Sequence, residues 1–230
     1  MKLAARPQII AGVLLLALAA VDAAWYFFWN FQGLAIDMPS LDLAAGTFQV
    51  IDENRQFYLT AVWFDFAWNL VAFLAGWALY LVLRRRSRRW ALLGILGFVS
   101  GAVMFMLGTM ALFGYEQLAL QYASTSSFDV RTLTSTALAL YYIQAGTGGL
   151  GAFLFSAGVA SFSLAILLYH AGDGRWFGLL GLISAAILLA TSTLYVPGSA
   201  YISYVATLWY ALTGLWLILA RGKPVESEAA

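Results

Sequence analysis

Residues 57–113 read FYLTAVWFDFAWNLVAFLAGWALYLVL, then RRRSRR, then WALLGILGFVSGAVMFMLGTMALF. The first apolar run, 57–83, holds one formal charge, Asp65; the second, 90–113, holds none. A helix needs about 20 apolar residues to cross the roughly 30 Å hydrocarbon core of a bilayer. Backbone amides find no water there, so only helices or closed barrels span it. Barrel strands would alternate apolar and polar residues, and these runs do not. The stretch is therefore a helical hairpin whose turn carries Arg84, Arg85, Arg86, Arg88 and Arg89. Such a turn stays on the cytoplasmic side, and its guanidinium groups suit anionic lipid headgroups.

The same pattern extends over the whole chain. Of 230 residues, 63% are hydrophobic and 10% charged, against about 45–50% and about 25% in soluble domains. Apolar runs predict an all-α, polytopic transmembrane bundle, one membrane domain over 1–230 with six spans: 7–31, 57–83, 90–113, 136–169, 176–196 and 201–220. The fourth is long for one upright crossing. It must begin above the membrane, tilt, or break near residues 146–151, where Gly146, Gly148, Gly149 and Gly151 cluster. Ten of the twelve Lys and Arg residues then fall on one side, leaving Arg55 and Arg131 on the other. That bias puts both termini in the cytoplasm and predicts a multi-pass protein of a bacterial inner (plasma) membrane. Lys2 and Arg6 before an apolar run ending at Leu18-Ala19-Ala20 also fit a cleavable leader. The run nevertheless continues through Trp25, Phe27 and Trp29, which favours a retained span.

Missing residue types exclude several chemistries. With no cysteine there is no disulfide, thiolate metal site, iron–sulfur cluster or Cys nucleophile. His170 is the single histidine, so a multi-histidine metal centre or bis-histidine haem cannot form within the chain. Lys2 and Lys223 are the only lysines and lie near the ends, leaving no intramembrane Schiff base. No cofactor and no metal are expected. A net charge of +1 gives no case for nucleic acid. The expected partners are the lipid bilayer and other membrane-protein subunits.

Outer segments 32–56 and 114–135 are long enough to carry structure. Leu41, Leu43, Ala44, Phe48 and Val50 suggest a short helix lying on the outer surface. Arg89-Trp90 through Gly94 echoes Arg175-Trp176 through Gly181. Trp and Arg anchors at span ends explain that echo more simply than a repeated hairpin does.

Asp22 and Asp65 are the most informative pair. Each lies roughly 12–14 Å below the outer boundary at 1.5 Å per residue, on helices joined by one loop. A carboxylate at the centre of a membrane helix costs about 2.5–3.5 kcal/mol, and such groups mark ion or proton paths. Tyr58, Ala61, Asn69, Ala72 and Gly76 share the Asp65 face, which points that face inward. With Asn69, the pair is a candidate proton or cation site. If the carboxyls touch, they share a proton. The competing reading is a carboxylic acid that merely fastens helices. Tyr141, Gln144, Thr191, Tyr204 and Tyr210 are candidate linings of an outward vestibule, with an interfacial aromatic belt as the alternative. Gly94, Gly97, Gly101 and Gly108, and likewise Gly148, Gly151 and Gly158, read as helix-packing seams. Met104, Met106 and Met110 read as core.

Four stretches carry a resemblance: Arg6 to Gly12, Leu79 to Arg84, Leu167 to Trp176, and Leu215 to Gly222. Through them the chain resembles a bacterial family of six-helix integral membrane proteins known only as a domain of unknown function. The resemblance implies a topology and no activity, and it assigns no site residue. The functional expectation is a non-catalytic accessory subunit of a larger membrane complex. The alternative is a small solute or ion carrier using Asp22 and Asp65. A lipid- or isoprenoid-modifying enzyme comes third; no catalytic residue is assigned.

Overall fold

The computed structural model describes residues 5–31, 41–124, 127–169, 174–193 and 204–219. Among them are seven α-helices and no strand: α1 (Ala5–Phe31), α2 (Leu41–Glu53), α3 (Arg55–Leu83), α4 (Arg88–Ala123), α5 (Ser127–Tyr169), α6 (Gly174–Thr193) and α7 (Tyr204–Leu219). His170, the Pro197-Gly198 turn, Tyr201, Ser203 and the terminal lysines lie outside the described residues.

The chain is arranged for lipid. α1, α3, α4, α5 and α6 contain stretches long and apolar enough to cross a membrane, and α7 is a shorter apolar helix of 16 residues. Their outer faces expose Ile10, Leu70, Phe73, Leu96, Leu107 and Phe153, an apolar surface far beyond what a soluble domain leaves in water. Met110 is 56% exposed and belongs to this outer face, not to the core expected for it. Polar side chains point the other way, with Asn69, Thr109, Ser163, Ser184 and Thr213 buried.

Neighbour contacts order the helices into a closed ring. Asp65 meets Thr109 and Gly76 meets Phe98, so α3 and α4 run antiparallel. Gly97 abuts Gly158 and Gly108 abuts Thr147, giving the same relation for α4 and α5. α5 and α6 pair through Ser163 and Gly181, and α6 and α7 through the Ser184 hydroxyl on the Val205 carbonyl (3.1 Å). The ring closes where Gly12 of α1 meets Gly214 of α7. A methyl group added at Gly97 would lie 2.6 Å from the Gly158 nitrogen, and one at Gly12 2.6 Å from the Gly214 carbonyl oxygen. Small residues thus let backbones touch where no hydrophobic force drives helices together. Gly148 has no such neighbour, so the seam on α5 is carried by Gly151 and Gly158.

Two helices outrun the membrane. α4 has 36 residues and α5 has 43, about 54 and 65 Å at 1.5 Å per residue. α5 is unbroken through residues 146–151, so the break expected there does not occur. Segment 114–135 is largely helical because the apolar stripe of Leu112, Tyr115 and Ala119 continues and finds partners. Those partners include Ala44, Phe48 and Ile51 of α2 and Ala137 of α5. α2 is therefore not a helix resting on the lipid surface; its apolar face is buried on protein. At this cap the Arg55 guanidinium binds Glu116 at 2.6 Å, with Glu116 almost fully buried.

Phe48→Ala should release α2. Phe48 is fully buried, and such truncations cost about 3–5 kcal/mol. Limited proteolysis should cut within 41–53 much faster than in the unaltered chain, with the ring helices still protected. Unchanged cleavage would show that α2 is held by something else.

Candidate functional site: two aspartates between antiparallel helices

The site is written twice in the sequence, as Asp22-Ala23-Ala24-Trp25 on α1 and Asp65-Phe66-Ala67-Trp68 on α3. Residues three apart lie on one helix face, so each helix presents a carboxylate and an indole together. The two faces meet. Trp68 lies beside the Asp22 carboxylate, and Trp25 lies beside Asp65. This reciprocal match requires α1 and α3 to run antiparallel. Each indole neighbours a carboxylate, and the Trp68 N–H completes no hydrogen bond among the described residues.

A third helix completes each half. Thr207 of α7 donates its hydroxyl to Oδ2 of Asp22. Thr109 of α4 donates to Oδ2 of Asp65. Hydrogen bonds to charged groups contribute about 1.5–3 kcal/mol, comparable with the cost of holding a carboxylate in a membrane helix. The two halves therefore follow one plan: a carboxylate, an indole from the facing helix and a threonine hydroxyl from a flanking helix. The hydroxyls that the two carboxylates accept are separate.

Asn69 lies one turn beyond Asp65 and is fully buried. Its amide donates to the Asp65 backbone carbonyl at 2.8 Å and to the Thr109 hydroxyl at 3.3 Å. Thr109 also reaches the Phe105 carbonyl at 3.1 Å. Tyr58, two turns from Asp65 on the same face, donates to the Leu112 carbonyl at 2.8 Å. Tyr58, Ala61, Asn69, Ala72 and Gly76 are all buried, as the Asp65 stripe requires.

The other candidates scatter. Tyr210 is buried within electrostatic range of Asp22. Tyr141 packs in the cap cluster near Tyr115. Thr191 binds carbonyls of its own helix, Ile187 at 3.0 Å and Leu188 at 3.1 Å. Gln144 is half-buried, and Tyr204 is 40% exposed. At the far end of α3, Arg84, Arg85, Arg88 and Arg89 are exposed, Arg86 is half-buried, and Arg84 stacks over Tyr80 at 5.8 Å. Among the described residues no cluster of three or more His, Asp or Glu side chains could hold a metal ion. Thr109, Trp25 and Trp68 are the site residues missed from sequence; Thr207 stands among the hydroxyl-bearing residues that open the last span and suggest a vestibule over the two aspartates. The repeated D-x-x-W spacing would have found the indoles.

The fold and site define an all-α polytopic membrane protein with a carboxylate pair inside its helix bundle. The chain belongs to the family described as "Domain of unknown function (DUF4386)", whose model matches residues 10–220. No curated protein and no solved structure matches it.

Proposed function

We propose that this chain is a small carrier of a bacterial inner membrane, crossing six times with both termini in the cytoplasm, that binds protons or small cations at Asp22 and Asp65. One observation carries the reading: both intramembrane carboxylates lie at the contact of α1 and α3, each accepting a threonine hydroxyl beside an indole of the facing helix. Helix fastening needs no charge, because a neutral Asn–Thr pair joins helices without the insertion cost of a carboxylate. A carboxylate held by hydroxyl donors inside a helix bundle has what a titrating site requires. The accessory-subunit and lipid-enzyme readings draw on no comparable feature of the geometry.

The test is a pH jump applied to proteoliposomes that hold the purified chain and a trapped pH-sensitive dye. Internal pH should relax faster than in protein-free vesicles of the same lipid, with or without sodium in the medium. Identical relaxation under every ion gradient would remove the carrier reading.

A further inference from the structure

We propose that the ligand of the Asp65 niche is a proton, not a metal cation, and that Thr109 is a positioning residue whose hydroxyl reverses direction as Asp65 gains and loses it. This rests on the carrier reading for its purpose but not for its geometry.

A dehydrated sodium or potassium ion needs several oxygen lone pairs converging on it. At the Asp65 carboxylate the Thr109 hydroxyl donates, with the Trp25 indole beside it. The Asn69 amide adds N–H groups directed at the Asp65 backbone carbonyl and the Thr109 oxygen. Donors stabilise a bare carboxylate, and among the described residues the single side-chain oxygen hydrogen-bonded to it, Thr109 Oγ1, falls short of the several that a dehydrated cation needs.

The same atoms also accommodate the acid. Thr109 Oγ1 has two acceptors in reach, Asp65 Oδ2 and the Phe105 carbonyl at 3.1 Å. With Asp65 ionised, the hydroxyl donates to the carboxylate and accepts from Asn69. With Asp65 protonated, it turns to donate to Phe105 and accepts the acid proton, keeping the Asn69 bond. A hydroxyl carries one donor and two lone pairs, so the contacts with Asp65 and Asn69 are made in both states and the Phe105 bond only in the protonated one. The Asn69 Oδ1, also buried, has no hydrogen-bond partner among the described residues, and the switch at Thr109 is a hydroxyl rotation.

Titratable groups on the packed elements include Tyr58 on α3, Asp22 on α1, Tyr115 and Glu116 on α4, Tyr141 on α5, and Asp52 and Glu53 on α2. Glu116 is paired with Arg55, Asp52 and Glu53 are exposed, and the Tyr58 hydroxyl is bound to the Leu112 carbonyl. Asp22 has its own hydroxyl on Thr207.

Infrared difference spectra of the purified chain in lipid nanodiscs, recorded across a pH titration, test this. The carboxylic-acid carbonyl band that Asp65→Asn removes should titrate. Its midpoint should be the same in sodium chloride and in choline chloride. Thr109→Val removes the stronger, charge-assisted bond, so the acid band should persist to about one pH unit higher. Thr109→Ser should restore the original midpoint. A sodium-dependent midpoint, a band that never titrates, or a Thr109→Val titration matching the unaltered chain would each overturn the proposal. Should Thr109→Val not fold, the sodium comparison on the unaltered chain decides alone. A titrating, sodium-indifferent band in a protein without ion flux would remove the carrier reading and leave the proton site standing.

Discussion

Asp65→Asn and Asp22→Asn should each reduce ion flux to the level of protein-free vesicles while leaving the chain as stable as before, or more so. The two substitutions preserve shape and one acceptor oxygen, so Thr109 and Thr207 keep a partner. What they remove is the capacity to titrate and the charge. Carrying an aspartate at the centre of a membrane helix costs about 2.5–3.5 kcal/mol, so the asparagine variants should insert more readily. Loss of activity with retained or increased stability marks a residue kept for function. The exposed Asp52 serves as control, and Asp52→Asn should leave flux unchanged. Flux measured on variants matched for monodispersity checks both halves of the expectation.

Gly97→Leu should give the largest structural effect. The α4–α5 seam is backbone against backbone there. Even a Cβ at Gly97 would lie 2.6 Å from the Gly158 nitrogen and 2.7 Å from the Leu154 carbonyl oxygen. Neither atom can swing aside as a side-chain tip can, so the helices must part. Separation would also open the Phe98–Phe155 contact, whose ring centroids are 4.0 Å apart. Over-packing of a filled core costs about 1–3 kcal/mol, and a forced backbone displacement lies at or beyond the upper end. Most of the protein should be lost from the monodisperse peak after detergent extraction. Gly148→Leu is the counterpart: no neighbour lies within 4 Å of an added Cβ, so yield should be unaffected. Equal yields from the two variants would mean that the seam does not hold the bundle.

Hydropathy made the transmembrane helices legible because bilayer thickness and backbone hydrogen bonding leave so few alternatives. It could not place their outer ends. Beyond the membrane, α4 and α5 continue on the strength of contacts such as Tyr115, Ala119 and Ala137 with α2, and those contacts are tertiary. α2 shows the same limit, since an amphipathic helix packs equally well on lipid or on protein. At the site, the Asp65 face was readable from local spacing of small residues. The pairing of Thr109 with Asp65 and of Thr207 with Asp22 was not, because the partners lie 44 and 185 residues apart in the chain. The reciprocal indoles lay in plain view as two D-x-x-W spacings, whose meaning appears only once α1 and α3 are set antiparallel.

The most direct measurement takes the double variant Asp22→Asn/Asp65→Asn and determines thermal midpoint and proton flux on one preparation. A carrier working through these carboxylates predicts a midpoint at or above that of the unaltered chain, with flux equal to bare vesicles. A lowered midpoint with flux retained would contradict it and leave the two aspartates as fasteners of the helix ring.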